Sequence, residues 1–341
     1  MDKFLLPRDE LSHTIQENAV LLYDKLRTLP VDDLGMPSHC LAYFKSSHFK
    51  RLFFSIETSA NILYRSIRAV NKPVSEIVIM DYGAGVGTLY TLAKMIGCKK
   101  VIYNDYLEDW RNSALLIAKA IGIHMDEYIL GDIEETLKTL DQKNIQCDII
   151  ASRNVIEHIY KLDAFYLTIA NAQPKAVVYS STTANYKNPA TRIQHRGLHL
   201  KWEKLYLPRR EKMILQTAPA LDKSRAHQLA LHTKGLAGSD IDHAIENYLR
   251  SGKLPDPTPH RTNTCDPTTG AWVEHLLKFD EYRHLLGNRY EVSFEPGFWD
   301  THYQNPLMNM MGKLLNGLIR MNKTMGFFLA SFIYVVANPK K

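Results

Sequence analysis

The stretch Ile77-Val78-Ile79-Met80-Asp81-Tyr82-Gly83-Ala84-Gly85-Val86-Gly87 carries the strongest structural signal in this 341-residue chain. It is a short apolar run that ends in an acid and is followed by three glycines on alternate positions. Glycine reaches positive φ values without steric cost and lets a ligand approach the backbone closely. The first N–H groups of a helix lack partners inside the helix, so they form a partly positive pocket. The stretch therefore predicts a buried strand, a tight turn and a helix that begins beside a bound ligand.

The spacing of the glycines separates two classes of cofactor. Dinucleotide-binding folds typically carry G-x-G-x-x-G, with the pyrophosphate at the start of the helix. Here the glycines follow G-x-G-x-G, and Asp81 stands two residues before Gly83. A carboxylate at that place would repel a pyrophosphate, whereas it suits a cofactor that carries an amino group and a sulfonium. The spacing favours the cationic cofactor; a purely structural turn is the alternative.

An acid followed by G-x-G-x-G resembles the first motif of the class I S-adenosylmethionine-dependent methyltransferases. The resemblance implies an α/β fold with a seven-stranded, mostly parallel, doubly wound (Rossmann-like) sheet, and S-adenosyl-L-methionine as the cofactor. It also implies that Asp81, Gly83, Gly85 and Gly87 bind this cofactor.

Polar residues follow the next predicted strands in the same way. The strands are 100–105, 127–132, 147–152 and 176–181, and Asp105 and Asp132 end the first two. Ligands of open parallel sheets bind at the carboxyl ends of the strands, so these side chains are expected at one edge. Asp105 also stands close to the spacing at which nucleotide-binding folds place a ribose-binding acid.

The resemblance extends to the residues at these strand ends. It implies cofactor-binding roles for Asp105 at the ribose with Tyr106 beside it, for Asp132 and Ile133 at the adenine, and for Asn154 at the methionine end.

The chain divides into four predicted regions. They are an N-terminal helical cover (1–72), the cofactor-binding core (73–184), a basic insertion after the fifth strand (185–285) and a C-terminal completion of the sheet (286–341). The N-terminal region is interpreted as a cover over the cofactor or substrate. The alternative is that its helices only pack against the sheet. In the last region, strands 289–294 and 327–336 enclose a helix over 307–321, whose methionines (Met308, Met310, Met311, Met321) are expected to fill the core.

The insertion carries the positive charge of the chain. Residues 185–261 contain fourteen Lys or Arg and seven Asp or Glu, whereas the net charge of the whole chain is +6. A helix is predicted from Ser239 to Leu249, and the remainder, including Pro255 to Pro259 and Thr262 to Thr264, is expected to be loop. Placed beside the carboxyl edge, the insertion is interpreted as a lid that favours an anionic acceptor, or less readily RNA. A solvated basic surface is the alternative.

Composition excludes several classes of protein. The four cysteines (Cys40, Cys98, Cys147, Cys265) form no C-x-x-C pair, so neither a zinc ribbon nor a disulfide framework is indicated. The start of the chain lacks the apolar core of a secretory signal. The longest apolar run, 327–337, is shorter than the roughly 20 residues of a spanning helix and is expected to be a buried strand. We therefore expect a cytoplasmic protein that does not bind membranes.

The predicted chemistry is transfer of the sulfonium methyl group to a small, anionic acceptor. In-line displacement depends mainly on alignment, and a hydroxyl acceptor also needs a base, for which histidine is suited. The segment Val155-Ile156-Glu157-His158-Ile159 resembles that of small-molecule O-methyltransferases of the ubiquinone-biosynthesis type, so His158 is the candidate base, with capping or packing of its own helix as the alternative. Arg153 is a candidate catalytic residue that orients the acceptor or holds the methionine end of the cofactor, with a structural ion pair as the alternative. Those enzymes also carry an H-x-W-E-K-like stretch, which 199–204 resembles with one extra residue; His199 and Trp202 are therefore candidate substrate contacts.

Three different functions stay open from the sequence. Metal-dependent small-RNA 2′-O-methyltransferases use E-x-x-E-H and a distant histidine; Glu157, His158 and His199 fit, but Asn154 replaces a glutamate. An amide is a poorer ligand for a hard dication than a carboxylate, so no metal is predicted. The second function is that of an NAD(P)-dependent oxidoreductase, and the third is that of a non-catalytic module that keeps the fold to bind a partner.

Overall fold

The computed structural model describes residues 7–256, 262–263 and 274–340. Its strands are β1 (Val78–Tyr82), β2 (Lys100–Asp105), β3 (Glu127–Leu130), β4 (Ile149–Arg153), β5 (Val177–Thr182), β6 (Thr262–Asn263), β7 (Glu274–His275), β8 (Tyr290–Pro296) and β9 (Ile333–Pro339). Seven of them form one sheet in the order β3-β2-β1-β4-β5-β9-β8, while β6 and β7 pair separately. Strands β1 to β5 are parallel, and β9 runs antiparallel to both β5 and β8. The predicted seven-stranded, mostly parallel sheet is confirmed.

Helices cover both faces of this sheet. They are α1 (Glu10–Arg27), α2 (Ser38–Tyr43), α3 (Leu52–Val70), α4 (Thr88–Met95), α5 (Glu108–Ala120), α6 (Ile133–Gln142), α7 (Leu162–Ala172), α8 (Pro189–Thr217), α9 (Lys223–His232), α10 (Ser239–Ser251), α11 (Phe279–Leu286), α12 (Pro306–Met321) and α13 (Lys323–Leu329). None of the helices in the described ranges is long and apolar enough to cross a membrane.

The alternation of side chains along each strand builds two cores. Ile79 and Ile149 pack on one face with α1, α3, α4 and α5. Their neighbours Met80 and Ile150 pack on the other face with α6, α7 and α11. Successive side chains of a strand point to opposite faces, so strands buried on both faces are apolar throughout. This explains why apolar runs, rather than alternating patterns, mark the parallel strands in the sequence.

The N-terminal region is helical, as expected. Helix α3 is buried along most of its length and packs against α1, α4 and the strands β4 and β5. A short π-helical turn at Phe44–His48 and a 3-10 turn at Phe49–Arg51 connect α2 to α3. The N-terminal helices therefore lie against the strands whose carboxyl ends are expected to bind ligands.

The insertion contains more helix than predicted. Besides α10, it forms α8 and α9, which share a small core with α10 around Ile214, Leu229 and Ile241. The amphipathic pattern of α8 is weak, because its inner face carries Thr191, His195 and His199 while Ile193 is 72% exposed. Periodicity therefore could not reveal this helix.

The prediction of a loop over Thr262 to Thr264 is wrong for Thr262 and Asn263, which form β6 and pair with β7. Pro257, Thr258, Pro259, Thr264 and Cys265 lie outside the described residues. The division of the chain at residues 72, 184 and 285 stays a prediction.

Two expectations about the C-terminal region are corrected. The apolar run at 327–336 is not one strand, because Phe327 to Leu329 end α13 and β9 begins at Ile333. Asn322 starts α13 by accepting hydrogen bonds from the N–H groups of Thr324 (2.9 Å) and Met325 (3.1 Å). Periodicity does not distinguish a short apolar strand from a buried helical turn.

The methionines of α12 do not fill the core. Met308, Met310, Met311 and Met321 are 45%, 62%, 49% and 77% exposed, respectively. The buried side of α12 instead carries Gly312, Asn316 and Ile319. The apolar residues of this segment predicted a helix, but they did not predict which face of the helix is buried.

Candidate functional site

The turn after β1 is left-handed at each of its three glycines. Gly83, Gly85 and Gly87 have φ values of 65°, 54° and 75°. A Cβ at Gly83 would lie 2.6 Å from Cγ2 of Val155, so the turn packs closely on the segment after β4. A Cβ at Gly85 would meet no protein atom within 4 Å, so space is open there. The turn thus combines close packing on one side with open space that a ligand can enter.

Asp105 organises this turn from the end of β2. Its Oδ2 accepts a hydrogen bond from the Gly85 N–H at 2.9 Å, and its Oδ1 accepts one from the Leu107 N–H at 3.0 Å. Burial raises the pKa of Asp105, against the effect of these backbone hydrogen bonds. Each carboxylate oxygen keeps a second lone pair, so Asp105 can still accept from a ligand hydroxyl. Tyr106 beside it is 70% exposed at the rim.

Asp81 is a deeply buried acid at this edge. It is 2% exposed, and its Oδ2 accepts a hydrogen bond from the Tyr90 N–H in α4 at 2.9 Å. Burial raises the pKa of Asp81 to about 7, although the hydrogen bond from Tyr90 and the charge of Arg153 act in the opposite direction. The carboxylate would gain from a ligand cation, because a nearby positive charge favours the ionised form. A cofactor with a protonated amino group fits these residues.

Asp132 and Ile133 begin α6 at the same edge. The Asp132 carboxylate accepts a hydrogen bond from the Glu135 N–H at 3.0 Å, and Glu135 in turn accepts from the Asp132 N–H at 3.1 Å. This capping box satisfies two N–H groups at the start of the helix. Asp132 is exposed and Ile133 is 8% exposed, so an apolar side chain and a polar one lie together beyond β3.

The segment after β4 carries the remaining predicted residues. Asn154 is left-handed (φ 57°), and its N–H donates to the Ser181 carbonyl at 2.9 Å, which holds β4 and β5 together at their ends. Glu157 is buried, and its Oε1 accepts from the Thr183 N–H at 3.3 Å. Burial raises the pKa of Glu157, and the charge of His158 acts in the opposite direction. His158 therefore stands close enough to this buried carboxyl group for their charges to interact.

A cavity of about 240 Å³ lies between the N-terminal helices and the ends of β4 and β5. Its helical wall includes Tyr43, His48, Arg51, Phe54 and Thr58, and its sheet wall includes Arg153, Asn154, Ser181, Thr183 and Phe332. The predicted residues Arg153 and Asn154 thus share one cavity. His158, His199 and Trp202 are not among the residues that line it.

Sequence analysis missed the helical wall of this cavity. His48, Arg51, Ser55 and Thr58 follow one another at intervals of three or four residues, within a segment whose other residues are apolar except for Lys50 and Glu57. Such spacing places them on one face of a helix, so a polar stripe on a buried helix was the available signal. Burial lowers the pKa of His48 to about 3, and the charge of Arg153 acts in the same direction. His48 therefore presents a neutral imidazole.

The insertion contacts the segment that follows His158. The Tyr160 hydroxyl and the Lys161 ammonium donate to Asp240 at the start of α10, at 2.9 Å and 3.1 Å. The ring nitrogen Nε2 of His275 lies 2.6 Å from the Ile159 carbonyl oxygen. These contacts place α10 and β7 beside the end of β4.

The candidate substrate contacts His199 and Trp202 lie within α8. His199 is 5% exposed on the inner face, where its ring lies 6.4 Å from that of His195. The Trp202 ring lies 6.0 Å from that of Tyr206. In the described part of the chain, no group of three or more His, Cys, Asp or Glu is arranged to hold a metal ion.

Comparisons with known proteins give structural matches only. No protein-family model and no curated protein matches the sequence. A protein from Pyrococcus horikoshii OT3 matches 88% of this chain and 99% of its own, with 13% identity and a TM-score of 0.44. An S-adenosylmethionine dependent methyltransferase from Mesorhizobium loti matches 81% and 97%, with 14% identity and a TM-score of 0.41.

A ribosomal protein L11 methylase from Lactobacillus delbrueckii subsp. bulgaricus matches less of both chains. The alignment covers 37% of this chain and 60% of the methylase, with 18% identity and a TM-score of 0.29. Matches at such identities concern the fold alone.

Proposed function

We propose that this protein is an S-adenosylmethionine-dependent methyltransferase that methylates an oxygen atom of a small anionic acceptor. The observation that carries the proposal is the buried carboxyl group of Asp81 beside three left-handed glycines, one of which opens onto free space. A buried acid at this place suits a cofactor with a cationic end and opposes a pyrophosphate. A nicotinamide dinucleotide is therefore the weaker candidate.

Each strand end contributes one part of the cofactor site. Asp81 would hold the protonated amino group, Asp105 the ribose hydroxyls, and Asp132 and Ile133 the adenine, with Tyr106 and Asn154 at the rim. When bound, S-adenosylmethionine supplies a methyl group on a positively charged sulfur. The turn at Gly83 to Gly87 contributes backbone that a ligand can approach closely.

The chain must also orient the acceptor and remove its proton. Arg153 faces the cavity at the end of β4 and can hold an anionic group of the acceptor. His158 is proposed as the general base, and the carboxyl group of Glu157 stabilises the imidazolium that forms. Most of the rate increase is expected from alignment of the acceptor oxygen with the methyl group.

Calorimetric titration with adenosylhomocysteine tests the cofactor assignment. We expect binding at micromolar strength, and at least tenfold weaker binding for Asp105→Ala, because that substitution removes the acceptor that holds the Gly85 N–H. Glu108→Ala, which removes an exposed acid three residues along the chain, is the matched control and should bind like the wild type. A folded preparation that binds NADH but not adenosylhomocysteine would instead indicate an oxidoreductase.

Labelled S-adenosylmethionine tests the acceptor class. The protein is incubated with a metabolite extract and, separately, with small RNA in the presence and absence of Mg²⁺. Label in a small anionic metabolite supports the proposal. Label only in RNA, and only with Mg²⁺, would move the function to the metal-dependent RNA methyltransferases.

A further inference from the structure

The cavity between α3 and the sheet has an unusual balance of charge. Two of the residues that line it, Arg51 and Arg153, carry guanidinium groups, and none of its lining residues is an acid. His48 adds no charge because its imidazole is neutral. The residues that line the cavity therefore favour an anion over a cation.

Arg153 carries most of this argument. Its guanidinium is enclosed by protein, and burial lowers its pKa. Among the described residues, no carboxylate lies within ion-pair distance of Arg153, and no hydrogen bond from its side chain is formed. The carboxyl groups of Asp81 and Glu157 interact with this charge from a longer distance and act against the lowering of its pKa. A largely enclosed charge whose donors make no direct contact is costly, and such groups concentrate at functional sites.

Arg51 faces the cavity from the helical wall. Its Nε donates to Asp300 at 3.4 Å, which fixes the side chain from behind, and its guanidinium lies 4.5 Å from the ring centroid of Phe54. Stacking on an aromatic ring and a fixed fork of donors suit recognition of a carboxylate or phosphate group.

The size and the apolar wall of the cavity restrict its ligand further. An engineered cavity of about 150 Å³ holds benzene, and this one measures about 240 Å³. Phe54 and Phe332 line it with their rings 6.1 Å apart in an edge-on arrangement. The volume therefore suffices for one aromatic ring that bears an anionic group.

The cavity also lies next to the predicted cofactor crevice. His48 Nε2 is 3.4 Å from Oγ1 of Thr88, the first residue of α4, and Val155 packs under Gly83. A ligand in the cavity would thus be one side chain away from the glycine turn.

We propose that this cavity is the acceptor site and that it binds a small aromatic acid, with the anionic group between Arg51 and Arg153 and the ring against Phe54 and Phe332. The inference rests on the proposed function, because it takes the methyl donor to occupy the adjacent crevice. It assigns recognition of the acceptor to this cavity and does not place His158 there as the base, since His158 does not line it. It shifts anion recognition away from the basic insertion, none of whose described residues lines the cavity.

Binding of defined probes to the protein saturated with adenosylhomocysteine tests this proposal. Benzoate and phenyl phosphate are compared calorimetrically with benzamide, a neutral analogue of benzoate. We expect at least one of the anions to bind at least tenfold more tightly than benzamide. Arg51→Gln and Arg153→Gln should each remove that difference, and Arg51→Gln should change the Kd of adenosylhomocysteine less than threefold.

Two further variants keep the result interpretable. Lys50→Gln removes a neighbouring charge that does not line the cavity and should leave the preference for anions intact. Arg51→Lys retains the charge without the planar fork and should keep part of the preference.

Equal binding of benzamide and both anions would overturn the acceptor assignment. So would an Arg51→Gln variant that weakens adenosylhomocysteine and keeps the preference for anions, since the Arg51 guanidinium would then serve the cofactor. Anion binding without any adenosylhomocysteine binding would refute the proposed function while leaving the anion cavity in place.

Discussion

Gly85 and Gly35 share a left-handed backbone, but only Gly85 lies in the predicted cofactor site. Gly85 and Gly35 are both left-handed, with φ of 54° and 71°, and a Cβ at either would meet no atom within 4 Å. We expect Gly85→Ala and Gly35→Ala each to lower the free energy of unfolding by about 1–2 kcal/mol through backbone strain. Only Gly85→Ala should weaken adenosylhomocysteine, by tenfold or more. Denaturant unfolding and calorimetry separate the two effects, and equal ligand affinity in both variants would contradict the site.

The raised pKa of Asp81 predicts that both the free energy of unfolding and cofactor binding depend on pH. Its pKa is raised to about 7 by burial, so the folded state keeps a proton that an unfolded aspartate loses near pH 4. The contribution of Asp81 to the free energy of unfolding is therefore greatest below pH 4 and decreases as the pH rises towards 7. A cationic ligand favours the carboxylate, so binding below pH 7 must release a proton.

We accordingly expect the Kd of adenosylhomocysteine to be about tenfold higher at pH 6 than at pH 8, following ionisation of a group with a pKa of about 7. Titrations in buffers of different ionisation enthalpy should show proton release at pH 6. Asp81→Asn cannot ionise and should bind more weakly, without this pH dependence. The same pH dependence in Asp81→Asn would assign it to another group.

At the scale of the element, α12 shows how composition and packing can differ. The helix presents Leu307, Leu314 and its methionines to the surface and buries Asn316, whose side chain binds the backbone of Trp299 in both directions. A polar residue with satisfied hydrogen bonds can replace an apolar one at a buried position. The apolar content of α12 thus overstates its contribution to the core.

Two substitutions in α12 compare the contributions of its exposed and buried faces to the free energy of unfolding. Met321→Gln changes a side chain that is 77% exposed and should alter the free energy of unfolding by less than about 0.5 kcal/mol. Ile319→Ala removes a side chain that is 6% exposed and should cost about 2–4 kcal/mol. Denaturant unfolding checks both, and comparable costs would place the methionine face in a buried interface.

Helix α8 also buries polar residues and exposes aliphatic ones. Its inner face carries polar residues and its outer face carries Ile193, Leu200 and Leu205, which are 72%, 56% and 54% exposed. Six basic residues and no acid accompany these aliphatic side chains among its exposed positions (Arg192, Arg196, Lys201, Lys204, Arg209, Lys212). The basic excess predicted for the insertion therefore lies largely on the outside of one helix.

At the scale of the whole molecule, Asp240 connects the insertion to the sheet. It accepts hydrogen bonds from Tyr160 and Lys161, which follow the end of β4. Loss of these bonds should loosen the segment that carries His158 without affecting the cofactor crevice at β1 and β2. The position of the insertion would then influence acceptor chemistry more than cofactor binding.

Amide hydrogen exchange tests this connection. In Asp240→Asn we expect exchange over residues 158–161 to accelerate severalfold while the affinity for adenosylhomocysteine stays within threefold of the wild type. Glu246→Gln, an exposed acid on the same helix, is the control and should change neither. Unchanged exchange in Asp240→Asn would mean that further contacts hold the insertion in place.

The parallel core, and the edge at which ligands are expected, could be predicted from local sequence patterns. Apolar runs that end in Asp81 and Asp105, with glycines after the first, predict strand, turn and crossover helix without any long-range information. The handedness of such crossovers and the burial of both faces leave few arrangements for the sheet. The five parallel strands followed from these short-range signals.

Which side chains meet in the cavity depends on tertiary packing. Arg51 and Arg153 are about a hundred positions apart, and their shared cavity depends on how α3 packs across β4 and β5. The exposed faces of α8 and α12 likewise depend on what each helix packs against. Long-range contacts of this kind leave no period in the sequence, because burial is a property of the assembled molecule and not of a single segment.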